Sequence, residues 1–479
     1  MHDHNHSRRR FIGNMLALAG GSAVPFTLNL AAVGTAAAQT AGDYKALVCL
    51  FLNGGNDHFN TVLATDSSSW NEYLRARTTT DAGSIALPAV GATGGVLPIT
   101  PASAQGGRTF ALHPSLQPLK ELFDAGRAAV VANVGTLIQP VTLAQYKAGA
   151  VALPPSLFSH NDQQSTWQSS QPEASATSGW GGRIGDLLAS GNGNATFTSV
   201  SASGNALFLS GRQVRQYQIS GTSALAINKL NDTLFGVPAS ANPLRQIVTG
   251  DQSNLFQKEH AAVTARGINA QAALSGAMLP AGAGGVPDPT PYVNPGTGIA
   301  AVNPLAVQLQ TVARIIGGRN ALGVKRQVFY VSLGGFDSHD LQLQNQADLL
   351  ARVAHAMAYF DSAMASLQGT DMRRQVTLFT ASDFGRTFAS NGDGTDHGWG
   401  AHHFVMGGAV KGKDIYGSMP VTGLGHSLDV GSGALLPTTS VDQYGATLAA
   451  WMGLSPTQIA DVFPNIGNFS NKNLGFMTA

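Results

Sequence analysis

The chain has 479 residues, enough for one large domain or two to three ordinary ones. Charged residues make up only 11%, against about 25% in average globular proteins, while glycine reaches 57 residues, so the surface is built mostly from Ser, Thr, Asn, Gln and Gly. With 28 basic and 27 acidic residues the charge is nearly balanced, and nothing basic is left over to suggest nucleic-acid binding.

In chain order the first feature is SRRRFIGN at residues 7–14, followed by an apolar, small-residue run over 15–37. This is the three-part form of a signal peptide with a twin-arginine n-region, and Ala36-Ala37-Ala38 offers a cleavage site before Gln39. Gly20, Gly21, Pro25 and Asn29 interrupt the run, so it reads as a cleaved leader over 1–38 rather than a membrane anchor. The MHDHNH tract at the start resembles a metal-binding sequence, but it lies upstream of the leader and is lost with it. Cleavage leaves 25 basic and 26 acidic residues. The expected localisation is periplasmic or extracellular, reached through the twin-arginine export machinery, with no stable membrane span after cleavage.

Apolar β-rich runs then alternate with helical patterns, the order expected of an α/β fold with a mostly parallel sheet and helices on both faces. The predicted strands are 46–52, 128–134, 206–209, 327–333, 375–380 and 403–406; most are continuously apolar, as strands buried on both faces must be. The single cysteine, Cys49, sits inside the first run and reads as a small buried hydrophobe. Helices are predicted over 115–126 with Ser115 as N-cap, over 305–318, over 340–367 and over 442–452. Residues 213–303 mix a few amphipathic turns with the Pro/Gly-rich stretch AGAGGVPDPTPYVNPGTG, and read as a peripheral insertion or cap outside the sheet of a 39–479 domain.

Polar residues cluster at the ends of several predicted strands. The first strand runs into GGNDHFN with Asp57; GGFDSHD carries Asp337, His339 and Asp340; SDFGRT carries Asp383 and Arg386; and TDHGWGAHH carries Asp396, His397, His402 and His403. Each motif alone is equally well a hydrogen-bonded turn. Together they supply the carboxylates and imidazoles that bind divalent metals, and parallel strands deliver the loops after them to one edge.

These motifs, with SHNDQQ at 159–164 and GGAVKGKDIYG after DHGWGAHH, resemble the exported family called domain of unknown function 1501 over nearly the whole mature chain. That resemblance implies an alkaline-phosphatase-like fold, shared with sulfatases and cofactor-independent phosphoglycerate mutases. It implies a divalent metal ion (zinc, calcium or magnesium) held by Asp57, Asp337, His339, Asp383 and His397. Phe384 departs from the pattern, because it stands where a histidine ligand is common in that superfamily. Ser159, at the start of a helix, is the candidate nucleophile and also an ordinary N-cap candidate; His160 with Asp162 could instead orient a water. Arg386 would neutralise an anionic group, and His397 would serve as ligand or proton donor. The expected function is hydrolysis of small anionic phosphate or sulfate esters, with a non-catalytic exported binding or assembly protein as the alternative. A nicotinamide oxidoreductase is excluded, since GGND lacks the G-x-G-x-x-G spacing.

Overall fold

The structure, a computed structural model, describes residues 44–78, 83–172 and 176–478; the expected leader over 1–38 lies outside them. Numbering the strands of the main sheet and the principal helices in chain order gives β1 (Lys45–Leu52), α1 (Ser67–Arg77), α2 (Gln117–Asp124), β2 (Ala128–Gly135), α3 (His160–Ser169), α4 (Trp180–Leu188), β3 (Ser199–Ser201), β4 (Tyr217–Ser220), β5 (Ser223–Ala224), α5 (Leu255–Ala277), α6 (Pro304–Gly317), β6 (Arg326–Leu333), α7 (Gln342–Ala365), β7 (Val376–Ser382), β8 (Ala401–Met406), β9 (Ile415–Tyr416), β10 (Thr439–Ser440) and α8 (Val441–Met452).

The sheet order is β9-β2-β8-β7-β1-β6-β3-β4-β5, with β10 also paired to β2. β1 lies at the centre, parallel to β6 on one side and β7 on the other, with Leu52 level with Leu333 and Ser382. Strand β8 runs antiparallel between β7 and β2. Alternate residues of β1 face opposite ways, as the pleat requires. Ala46, Val48 and Leu50 pack with the apolar sides of α2, α6 and α7, while Leu47, Cys49 and Phe51 pack with Trp167 of α3, Trp180 of α4 and Tyr444 of α8. Both faces are therefore covered by helices, as the continuously apolar strands predict, and Cys49 is buried.

Three expectations are corrected. Residues 206–209 are not a strand: Leu207–Leu209 form a 3₁₀ turn, apolar because Phe208 stacks edge-on against Trp180 at 4.6 Å, and the sheet position is taken by the short, half-polar β3. The helix expected over 115–126 begins instead as a 3₁₀ turn capped by His113, whose ring accepts from Ser115 N, before α2 proper. Residues 213–303 are not wholly outside the sheet, since β4 pairs with β3 and β5 with β4 at its edge; YQIS is too short and too polar to read as a strand from sequence.

Candidate metal centre

The C-terminal ends of β1, β6 and β7 and the start of the antiparallel β8 share one edge of the sheet, so the loops there meet. Gly54 explains how closely. Its φ is +113°, and a Cβ in that position would stand 2.4 Å from the backbone nitrogen of Asp337, so only glycine lets the turn after β1 pass against the loop after β6. Gly54 N–H also donates to Asp383 Oδ1 at 3.1 Å, tying that turn to the loop after β7.

The side chains assemble around Asp337. His160 Nε2 lies 3.2 Å from Asp337 Oδ2, while His339 Nε2 and His397 Nε2 lie 3.0 and 3.2 Å from Asp337 Oδ1 and 3.1 Å from each other. His160, Asp337 and His397 form the tightest ligand group among the described residues, and His339 adjoins it at these distances.

The second nitrogen of each ring faces an oxygen. His160 Nδ1 donates to Asp383 Oδ2 at 2.8 Å, and Gln164 donates to that same oxygen. His397 Nδ1 donates to the Phe158 carbonyl at 2.7 Å, and His339 Nδ1 lies 3.4 Å from Asp396 Oδ1. These partners fix the tautomers, so His160 and His397 aim Nε2 lone pairs inward. His160 Nε2 is buried and has no hydrogen-bond donor. His397 Nε2 faces Asp337 Oδ1, a contact between two acceptors that only a cation or an added proton relieves. The ligand atoms of His160, Asp337 and His397 all lie within 4.8 Å of one another, the spacing of a group able to share one ion.

The charge states suit ligation. Burial pushes the Asp337 carboxyl up, but the Arg386 hydrogen bond and the charges of Arg386, His160 and His339 hold it below the usual carboxylate range. Burial lowers the His397 imidazole against the opposing pull of its Phe158 contact, and the neighbouring Arg386 and His160 charges lower it further. Metal binding needs an ionised carboxylate and unprotonated ring nitrogens, and the shifts of Asp337 and His397 both run in that direction.

Not every expected residue joins this centre. Asp57 is buried in an ion pair with the fully buried Arg77 of α1, and also accepts from Phe59 N and Gln342 Nε2 at 3.0 and 2.6 Å. Asp383 reaches the centre only through His160. Arg386 is buried and donates to Asp337 Oδ1 at 2.6 Å, to the Thr395 carbonyl and to the Gly54 carbonyl, so its guanidinium holds Asp337 in place rather than facing solvent. Ser159 is the residue before α3, but its hydroxyl donates to Asp162 Oδ2 at 2.7 Å and reaches no residue of the centre. His402 and His403 are buried within β8; His402 Nδ1 accepts from Asn133 N, and His403 stacks on Tyr444. Phe384 packs against the rings of His160 and His397 at 4.9 and 4.8 Å, forming an apolar wall behind them.

The residues missing from the sequence reading are those that hold others. Arg77 ends a helix with no motif around it, Gln164 lies one turn after His160, and Phe158 contributes through its backbone, which leaves no sequence signature. His160 itself was visible in SHNDQQ, but as a water-orienting residue rather than as part of the imidazole set.

The chain belongs to the family described as Protein of unknown function (DUF1501), which matches residues 44–463. No curated protein matches it. Among solved structures it is similar, at 10% identity and a TM-score of 0.35 over 88% of this chain and 75% of the other, to a Bacteroides thetaiotaomicron protein described under the metabolism of multiple glycosaminoglycans. It is also similar to Ps i-CgsB in complex with k-i-k-neocarrahexaose, at 11% identity and a TM-score of 0.35 over 89% and 77% of the two chains.

Proposed function

We propose that this family member is an exported metal-dependent hydrolase of phosphate or sulfate esters, with one divalent ion held by His160, Asp337 and His397, and His339 beside them. The reading rests on one observation above all: inward-facing imidazole lone pairs meet a carboxylate with too few protons between them. An ion bound there supplies Lewis acidity toward an ester oxygen and lowers the pKa of a bound water. Asp383 and the Phe158 carbonyl orient His160 and His397, and Arg386 keeps Asp337 ionised. With the Ser159 hydroxyl turned to Asp162, a water is the nucleophile. Two nitrogen ligands and one carboxylate, with a position left open, favour zinc over calcium or magnesium, which prefer oxygen sets.

Export rests on the twin-arginine leader; among the described residues no helix is long and apolar enough to cross a membrane. A second reading, a metal-holding binding protein without turnover, is favoured by the commitment of Arg386 to Asp337, which removes the cation expected to meet an anionic ester. Elemental analysis of the purified protein, combined with nitrophenyl phosphate and nitrophenyl sulfate assays on wild type and His397→Ala, tests both. One equivalent of metal with His397-dependent turnover supports the hydrolase; metal without turnover selects the binding protein; a folded protein that takes up no added zinc overturns both.

A further inference from the structure

Helix α5 spans 23 residues, about 35 Å at 1.5 Å per residue, yet only Ala261, Ile268 and Leu274 of it are buried. Helices in globular proteins are held chiefly by burying an apolar face, and this one buries little. Phe256 and Val263 are 84% and 52% exposed. They share a helix face with Gly267, seven and eleven residues on from Phe256, so one stripe carries a projecting ring at one end and a site of close approach at the other. Leu225, Ile227, Phe235, Ile247 and Leu255 are exposed in the same segment of chain. A concentration of this kind marks an interaction surface rather than the scatter of single apolar residues normal on proteins.

The surface has hollows as well as projections. A cleft of 460 Å³ opens between α5 and the β4-β5 edge, lined by Tyr217, Leu225, Ile227, Leu230, Val263 and Ile268 among others, with no charged side chain in its wall. A second, of 340 Å³, lies between Ile247 and Phe256. A lipid surface would use the projections and leave the clefts unfilled, whereas a second copy of the chain brings its own projections to them. Charges of both signs flank the stripe, with Lys258, Glu259 and Arg266 exposed, as suits the polar rim of a surface that meets itself.

We propose that this face closes a homodimer, in which the α5 helices of two copies pair antiparallel across a two-fold axis and each Phe256 enters the apolar cleft beside α5 of the other. A two-fold interface needs one patch complementary to itself, and projection and cleft on a single helix face supply it. Setting Phe256 opposite Gly267 centres the axis between residues 261 and 262. The metal centre, at the strand-end edge, takes no part, so the proposal stands whether or not the protein is a hydrolase.

Size-exclusion chromatography with light scattering over a range of protein concentrations is the test. Wild type is expected at twice the single-chain mass. Phe256→Asp and Val263→Asp are each expected to halve that mass with circular dichroism unchanged, because both side chains are exposed in the single chain, while Val421→Asp, exposed elsewhere, leaves the dimer intact. A single-chain mass at every concentration overturns the proposal, as does a dimer that survives both α5 substitutions. Phe256-dependent flotation of a monomer with lipid vesicles would assign the surface to a membrane instead and also overturn it.

Discussion

Replacing Asp57 and Asp383 separately by Asn distinguishes a carboxylate that supports the fold from one that supports the centre. Both are almost fully buried and both lie at strand ends, so they look alike in sequence. Asp57 pairs with Arg77, whose guanidinium otherwise reaches, among the described residues, only neutral acceptors, the Thr387 and Phe388 carbonyls and the Asn60 side chain. Asn at position 57 keeps the shape but leaves that guanidinium buried without a counter-charge, which costs about 3–5 kcal/mol when one member of a buried pair is removed. Asp383 has a different task. Asn there still accepts from Gly54 N, so the fold loses little, but the charged partner of His160 Nδ1 is gone. Loss of such a partner lowers metal affinity about 10–100-fold, equivalent to about 1.4–2.7 kcal/mol of binding. Urea unfolding of metal-stripped protein reads the first effect, and zinc competition against a chelator reads the second. If Asp57→Asn unfolds within about 1 kcal/mol of wild type and loses zinc, Asp57 is a ligand and the reasoning from its ion pair fails. Unchanged zinc affinity in Asp383→Asn removes the positioning role.

Stripping the ion with a chelator should lower stability by about 2.7 kcal/mol relative to protein held at 100 times its dissociation constant, read as a fall in Tm that zinc reverses. Burial raises the Asp442 carboxyl to about 7, against the opposing effects of Ser170, backbone N–H groups and Arg183, and its Oδ1 has no partner. Between about pH 4 and 7 the folded chain therefore keeps a proton that the unfolded chain has released, so stability falls as pH rises through that window, by up to about 4 kcal/mol, and Asp442→Asn should flatten that part of the urea-unfolding profile. Arg8→Lys with Arg9→Lys should hold uncleaved precursor in the cytoplasm, because paired arginines are what the twin-arginine route reads; normal export in a fractionation experiment would end that argument.

How much of this was legible in the sequence depends on what each residue does. The strands of the sheet centre could be read because burial on both faces demands unbroken apolar runs, and ALVCLFL and QVFYVSL have no other economical reading. The short strands toward one side of the sheet could not. SVS and YQIS are short and polar, and they hold their places by backbone pairing to a neighbour already in the sheet, which leaves no pattern to detect. The 206–209 run misled for the converse reason, since its apolar residues pack on Trp180 from outside the sheet.

At the centre, sequence identified which chemical groups meet but not how the work is divided among them. Asp337 and His339 lie in the loop that the parallel strand β6 delivers to this edge, and His397 ends a short strand, Thr395–His397, of a hairpin that follows β7 and pairs it with Arg386. The division of labour is set by a single bond at each residue: Asp57 to Arg77, Asp383 to His160, Arg386 to Asp337 and Ser159 to Asp162. Asp57–Arg77 and His160–Asp383 join residues 20 and 223 positions apart, and no spacing rule predicts either. The Phe384 substitution acquires a meaning on the same terms. A histidine there would stand between the rings of His160 and His397, where Phe384 packs at 4.9 and 4.8 Å, and would add a further nitrogen beside a group already rich in acceptors. An apolar ring instead excludes water from the back of both imidazoles and confines their lone pairs to the side of Asp337. With Asp57 neutralised by the Arg77 guanidinium away from these rings, the single-ion proposal rests on His160, Asp337 and His397 alone, the residues whose ligand atoms lie together.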